Sequence, residues 1–360
     1  MIDLGVLGYP LAFLAAITIV VFFHELGHYW VARRSGVAVE VFSIGFGPEL
    51  FGWQAKSGTY WRVALLPLGG YVRMRGDENA ASMASERATR IKGSFAGAPL
   101  LSRMAIISAG PLANFLLGIM LFALVYMAVG KAFIPAEIGE VMPETAAAEA
   151  GLQEGDKVLS VDGRTVRDFA ELRSVVFESP DKELLFEIDR FSIIKTIPVT
   201  PRPVYLEDLK MTAGQLGVRS APGAFRKLGL SEAAVTAGAD TFHMTSMMLR
   251  GIGRLVTGNA SQSEVGGPVR IAEFAGDAAR QGFASFLIFT AVISINLGLI
   301  NLLPVPVLDG GHLLMFMIEG VRGKPLPERL QSVLMRGGMA ILMSLMIVVT
   351  FFDLFRFVSS

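Results

Sequence analysis

VLGYPLAFLAAITIVVFF, residues 6–23, runs straight into His24-Glu25-Leu26-Gly27-His28. The first piece carries no charge and is close to the ~20 apolar residues that a bilayer-spanning helix needs. The second sets two histidines four residues apart, with a glutamate beside the first. On a helix those histidines share a face, so both imidazoles can reach one ion. Glu25 then stands where it can take a proton from a water activated by that ion. Ionisable groups at the end of an apolar span are costly, and their presence there points to function. The alternative is two internally satisfied histidines and a surface glutamate. A cleaved secretory signal is the alternative for residues 6–23. It would need a basic leader and an A-x-A-like site, and neither is present, so the segment is expected to be retained.

The rest of the chain repeats the apolar theme. Met104–Val129 is uncharged, though Pro111 and Asn114 interrupt it, and Phe283–Leu303 is uncharged and carries Asn296 and Asn301. Gly337–Phe352 is a shorter fourth candidate. One such segment could be a buried core helix, but four argue for a membrane. Composition agrees: 52% of the 360 residues are hydrophobic and only 18% charged, where a soluble domain carries about 25% charge. The mean hydropathy is +0.52. These values argue against a cytosolic globular protein and for an integral membrane protein, and they exclude a disordered chain. Lys+Arg and Asp+Glu both total 32, so no basic excess points to nucleic acid. With no cysteine, disulfides and thiolate zinc sites are excluded. A metal site must draw on His24, His28, His243 or His312 together with carboxylates.

Basic residues cluster between the first two spans (Arg33, Arg34, Lys56, Arg62, Arg73, Arg75 and others) and between the last two (Arg322, Lys324, Arg329, Arg336). Both loops are therefore expected to be cytoplasmic, and both termini and the region 130–282 extracytoplasmic. Residues 37–76 alternate apolar and polar between glycines, which predicts short strands near the membrane face. Residues 79–97 read as a loop. Residues 132–202 read as a compact soluble α+β domain. Ser231–Thr257 reads as an amphipathic helix, core-packed or on the membrane surface.

Two histidines leave a catalytic zinc site one protein ligand short. No third histidine follows the motif at metzincin spacing. The candidate is Asp309, in Asn301-Leu-Leu-Pro-Val-Pro-Val-Leu-Asp309-Gly-Gly-His312. The first and third spans both run inward, so His24 and Asp309 are expected at similar depth near the cytoplasmic side. Pro304 and Pro306 break the helix there. Two histidines and one carboxylate also suit Fe(II), although HExxH favours zinc.

AEAGLQEGDKVLSVDGRTV, within the soluble stretch, resembles a PDZ domain of the bacterial envelope-protease type. HELGH, GPLANF at 110–115, that single insert and NLLPVPVLDGGH follow one another in the order of the site-2 protease family. The chain resembles its RseP-like bacterial members over nearly its whole length. The resemblance implies a polytopic α-helical membrane protein with four transmembrane helices, a membrane-associated β element and an inserted α+β PDZ-like domain. The corresponding plan is 1–36, 37–103, 104–130, 131–202 (PDZ-like), 203–282 (linker with amphipathic helices), 283–318, 319–336 and 337–357. Tandem PDZ domains are common in this group, and only one signature is found here.

The resemblance further implies His24, His28 and Asp309 as ligands of Zn2+ and Glu25 as catalytic base. It implies Asn296 and Asn301 as holders of the substrate backbone or oxyanion, and Gly69, Gly70 and Tyr71 as part of a β element that pairs with an extended substrate. Interhelical hydrogen bonding is the alternative for the asparagines, and the favoured one for Asn114. His312 is expected to support the site or serve structure. The implied activity is intramembrane hydrolysis of single-span membrane proteins already trimmed by another protease, such as an anti-sigma factor, or of signal-peptide remnants. The implied location is a bacterial inner membrane. The implied partners are those substrates, the lipid bilayer, and a peptide terminus or substrate ectodomain at the PDZ-like domain. Competing readings are an anchored zincin that cuts soluble or misfolded proteins, and a non-enzymatic PDZ scaffold or transporter with a structural metal.

Overall fold

The computed structural model describes residues 8–76, 91–206, 211–257 and 267–359. The chain divides into two compact units, Met1–Val125 with Gly229–Ser360, and Tyr126–Leu228. In chain order the elements begin with α1 (Gly8–Arg34), β1 (Val39–Gln54), β2 (Tyr60–Met74) and α2 (Leu100–Ala128). The middle holds β3 (Lys131–Phe133), β4 (Ile138–Val141), α3 (Ala146–Glu149), β5 (Lys157–Val161), β6 (Arg164–Thr165), α4 (Phe169–Phe177), β7 (Leu184–Arg190) and β8 (Ile193–Val199). Then come β9 (Arg202–Leu206), β10 (Met211–Gln215), β11 (Val218–Ser220) and β12 (Ala224–Arg226). The chain closes with α5 (Leu230–Val256), α6 (Pro268–Gln281), α7 (Phe283–Leu302), α8 (Asp309–Arg322) and α9 (Glu328–Ser359).

Among the described residues, α1, α2 and α7 are long and apolar enough to cross a membrane. The protein is a membrane protein on that count. The fourth expected span, 337–352, falls inside α9. α1 and α2 approach closely because Gly27 has no side chain: a Cβ there would stand 2.3 Å from the Ala109 carbonyl oxygen. Small residues let helix backbones meet in this way inside a bilayer. α7 packs on the same helix, with Gly298 against the Pro111 carbonyl and the Asn114 side chain. A cluster of Ala32, Val37, Val39, Met74, Phe95, Ile106, Ile107 and Phe316 ties α1, the two long strands, α2 and α8 together.

β1 and β2 form an antiparallel hairpin of bent strands. Phe42 is paired with both Val72 and Trp61, and Ile44 with both Gly70 and Val63, so the first half of β1 has a neighbour on each side. The far half of the hairpin leaves Phe46, Leu50, Phe51, Trp53, Leu65, Leu66 and Leu68 exposed. An apolar patch of this size marks an interaction surface rather than a solvated loop. The loop expected over 79–97 lies largely outside the described residues.

The second unit is an α+β domain with a four-stranded antiparallel sheet in the order β6-β5-β7-β8. Leu172, Leu184, Phe186, Ile188, Val161 and Val199 are fully buried in its core, each contributing about 1.5–3 kcal/mol. Asp156, wholly buried, takes two hydrogen bonds from Arg190 at 2.6 and 2.7 Å and one from the Gln153 amide. This domain runs to Leu228, whereas the sequence reading ended it at 202. The reason is non-local pairing: β10 pairs with β9, β11 returns to β4 and β12 to β3. The linker expected at 203–282 therefore starts only with α5, which matches the amphipathic helix expected at 231–257.

Candidate metal centre

The site grows from three helices. α1 brings His24 and His28, four residues apart and both buried. α2 runs beside it. The third group comes from the break after α7. Pro304 and Pro306 cannot continue a helix, and Leu303 is extended. Val307 takes φ +87°, a left-handed conformation that costs a β-branched residue about 1–3 kcal/mol. The chain then turns into α8, whose first residue is Asp309. A helix N-terminus favours a carboxylate there. Gly310 and Gly311 are needed because the broken segment folds back on the start of the helix. A Cβ on either would lie 2.2–2.3 Å from the Leu303 or Val305 carbonyl oxygen.

These elements bring His24, His28 and Asp309 together. His24 Nε2 and His28 Nε2 are 3.1 Å apart. Asp309 Oδ2 lies 3.2 Å from the first and 3.6 Å from the second. Ligand atoms ~2.0–2.1 Å from a tetrahedral zinc stand roughly 3.3 Å apart, so the three separations bracket the value an ion would impose. Asp309 Oδ2 is buried and takes no hydrogen bond of acceptable geometry, despite two ring nitrogens beside it. Space is kept open as well: a Cβ on Gly110 would sit 2.3 Å from His28 Nε2 and 2.8 Å from His24 Nε2. The donor set, the orphaned oxygen and the vacant Cβ position fit a zinc ion.

The outer ring nitrogens are held by α2. His28 Nδ1 donates to the Ile106 carbonyl oxygen at 2.8 Å, which fixes that proton and leaves Nε2 as the free lone pair. His24 Nδ1 lies 3.1 Å from Asn114 Nδ2. Glu25 has His28, His24 and Asp309 as electrostatic neighbours and stands beside the Val72 backbone. A Cβ on Gly70 would come within 3.5 Å of Glu25 Cγ and 3.4 Å of Val21. The second half of β2 therefore runs past the Glu25 carboxylate. Gly69 packs under the Phe46 ring, and Tyr71 stacks on that ring at 6.2 Å between centroids.

Asn296 and Asn301 are half-buried on α7, and neither makes a side-chain hydrogen bond among the described residues. His312 is buried on α8, one turn past Asp309, and His243 is exposed on α5. Neither joins the triad. Sequence reasoning missed the role of α2. Ile106, Gly110 and Asn114 recur every four residues, so they share one face of that helix, and each touches a histidine. The available signal was a glycine, a proline and an asparagine inside an otherwise apolar span.

A family model described as Peptidase family M50 matches residues 12–345. A relative from Rhizobium meliloti (strain 1021), R01501, provisionally named a zinc metalloprotease, is 39% identical over 355 residues, covering 95% of each chain. Metalloprotease MmpA of Caulobacter vibrioides is 35% identical over 386 residues, covering 98% of this chain and 97% of its own. Among solved structures, the PDZ domain of an SdrC-like protein from Listeria innocua aligns with 26% of this chain and 99% of its own, at 11% identity and a TM-score of 0.22. With its matched length, its relatives and its His24-His28-Asp309 centre, the chain belongs to peptidase family M50, the site-2 protease family of zinc metalloproteases.

Proposed function

We propose that this protein cuts peptide bonds within or near the transmembrane segments of single-span membrane proteins, already shortened by another protease. The observation that carries the reading is the β2 edge beside Glu25. Gly70–Met74 pair with β1 on one side, and among the described residues no strand covers the other. A helix hides its carbonyls in its own hydrogen bonds, so a transmembrane substrate must unwind before it is cut. Unwound backbone in lipid is expensive unless it is paired. An exposed sheet edge pairs it by strand addition, next to the base.

In this reading His24, His28 and Asp309 hold the zinc. Bound zinc supplies Lewis acidity and lowers the pKa of its water. Glu25 takes the proton of the attacking water and returns it to the leaving amine. Gly69, Gly70 and Tyr71 guide the substrate strand, and Asn296 and Asn301 hold its backbone or the developing oxyanion. α9 is the fourth span, the site lies toward the cytoplasmic side of a bacterial inner membrane, and both termini and the PDZ-like domain face outward. In that domain an apolar groove of about 380 Å³, lined by Phe169, Leu172, Val176, Leu216 and Val218, is suited to a peptide terminus or a trimmed ectodomain.

The test is cleavage of a tagged single-span substrate in proteoliposomes, with metal assayed in the same preparations. Glu25→Gln is expected to keep zinc and stop cutting, and Asp309→Ala to lose both. Normal cutting by Glu25→Gln would overturn the assignment of the base. Preference for a soluble unfolded protein over the single-span substrate would overturn the substrate class.

A further inference from the structure

A ligating imidazole gives the metal a lone pair from one nitrogen and keeps its proton on the other, where a neighbour must accept it. His24 turns Nε2 toward Asp309 and His28. Its proton in the metal-bound state therefore belongs on Nδ1. The side chain hydrogen-bonded to that nitrogen is Asn114, wholly buried between α1, α2 and α7. A carboxamide carries one acceptor oxygen and one donor nitrogen. The end facing Nδ1 is the donor, Nδ2, at 3.1 Å. The acceptor, Oδ1, is buried with no hydrogen-bond partner. With a metal on Nε2, that orientation would set two N–H groups against each other and leave the oxygen stranded. A half-turn of the amide, which exchanges two ends of nearly equal size, removes the clash and gives Oδ1 a partner.

We infer that Asn114 is a positioning residue for the metal: its Oδ1 accepts the Nδ1 proton of His24 and so commits Nε2 to the ion. The inference rests on His24 being a ligand, as in the function proposed above. The geometry around the residue supports this. His28 already has an equivalent acceptor in the Ile106 carbonyl, two turns back on the same helix. Asn114 is itself clamped, since Ser294 Oγ donates to its backbone carbonyl at 2.8 Å and Gly298 lies against its Cβ. The side chain thus has a fixed base and an amide free to choose its orientation.

Asparagine and aspartate separate the two orientations. Aspartate at 114 can only accept, so it reproduces the proposed contact and destroys the opposite one. Leucine has the shape without either group. The measurement is zinc affinity of the full-length protein in detergent, by competition with a chromophoric chelator, with cobalt substitution to read the ligand field. Asn114→Leu is expected to bind zinc 10–100-fold more weakly, the usual loss when such a supporting partner is removed. Asn114→Asp is expected to stay within about threefold of wild type or bind more tightly, with an unchanged cobalt spectrum. Equal losses in the two variants would show the amide N–H to be the working group and overturn the inference. Wild-type affinity in Asn114→Leu would overturn it too. Thermal unfolding of the metal-free proteins accompanies each titration. Should Asn114→Leu not fold, the Asp variant decides alone, since a loss there refutes the acceptor role. His24→Ala keeps this outcome distinct from failure of the parent reading: if it binds zinc normally, His24 is not a ligand at all.

Discussion

Gly110→Ala adds one methyl group, and the structure states where it goes. The new Cβ would lie 2.3 Å from His28 Nε2, 2.6 Å from His28 Cε1 and 2.8 Å from His24 Nε2. Non-bonded carbons settle at about 3.5–4.0 Å, so the imidazole of His28 must retreat by about 1 Å or α2 must move away from α1. Zinc–ligand distances tolerate about 0.2 Å. The expected result is a loss of zinc affinity of at least about 100-fold, above the 10–100-fold seen when only a supporting residue is lost, and proteolysis falls with it. Helix propensity works the other way, since alanine is about 1 kcal/mol better than glycine in a helix, so a broken α2 is not the cause. Gly118→Ala, two turns further along α2, is the control. Its Cβ would press on Ile295 at 2.6 Å, so it shares the overpacking cost of about 1–3 kcal/mol but is remote from the ring nitrogens. Zinc per protein, measured by mass spectrometry after dialysis against a weak chelator, should separate the two variants. Full occupancy with normal cleavage in Gly110→Ala would falsify the proposal that His24 and His28 hold the metal.

Two further predictions concern support and pH. Arg103 at the start of α2 and Glu319 on α8 are mostly buried and form a bidentate pair, with one contact at 3.2 Å and the guanidinium over the Phe316 ring at 4.9 Å. Arg103→Met strands the carboxylate and should cost about 3–5 kcal/mol, whereas Arg103→Met with Glu319→Leu should recover most of that loss; unfolding of Arg103→Met, Glu319→Leu and the double variant in mixed micelles measures the coupling, and additive losses would refute it. In the second unit, the Leu185 amide and Lys182 hold the Asp162 carboxyl below its ordinary range. A depressed carboxylate contributes stability above its unfolded pKa and loses it as pH falls through the folded one. Acid unfolding below about pH 4 should therefore be shallower in Asp162→Asn than in wild type, and identical slopes would count against that contact.

How far the sequence carries the reading depends on whether an interaction is local or crosses the chain. The His24–His28 pair is legible because four residues of helix bring them to one face, and Asp309 because two prolines and two glycines mark a break beside a carboxylate. The α1, α2 and α7 spans are legible from uncharged length alone. The end of the second unit is not, since β11 and β12 pair with strands roughly 80 to 90 residues earlier, and nothing in their own three-residue sequences announces it. The role of α2 fails for a subtler reason. Gly110 matters through the atom it lacks, Ile106 through its backbone carbonyl and Asn114 through one end of its amide. Side-chain identity encodes nothing of the Ile106 carbonyl, only half of the Asn114 contact, and at Gly110 only an absence. The centre therefore has two layers with different legibility: proposed ligands whose chemistry needs histidine or aspartate, and a platform whose requirement is the shape and backbone of a helix. That difference predicts tolerance. Ile106→Leu or Ile106→Val keeps the carbonyl at 2.8 Å from His28 Nδ1 and should leave zinc binding unchanged. At Gly110, four residues further on, no substitution should be accepted.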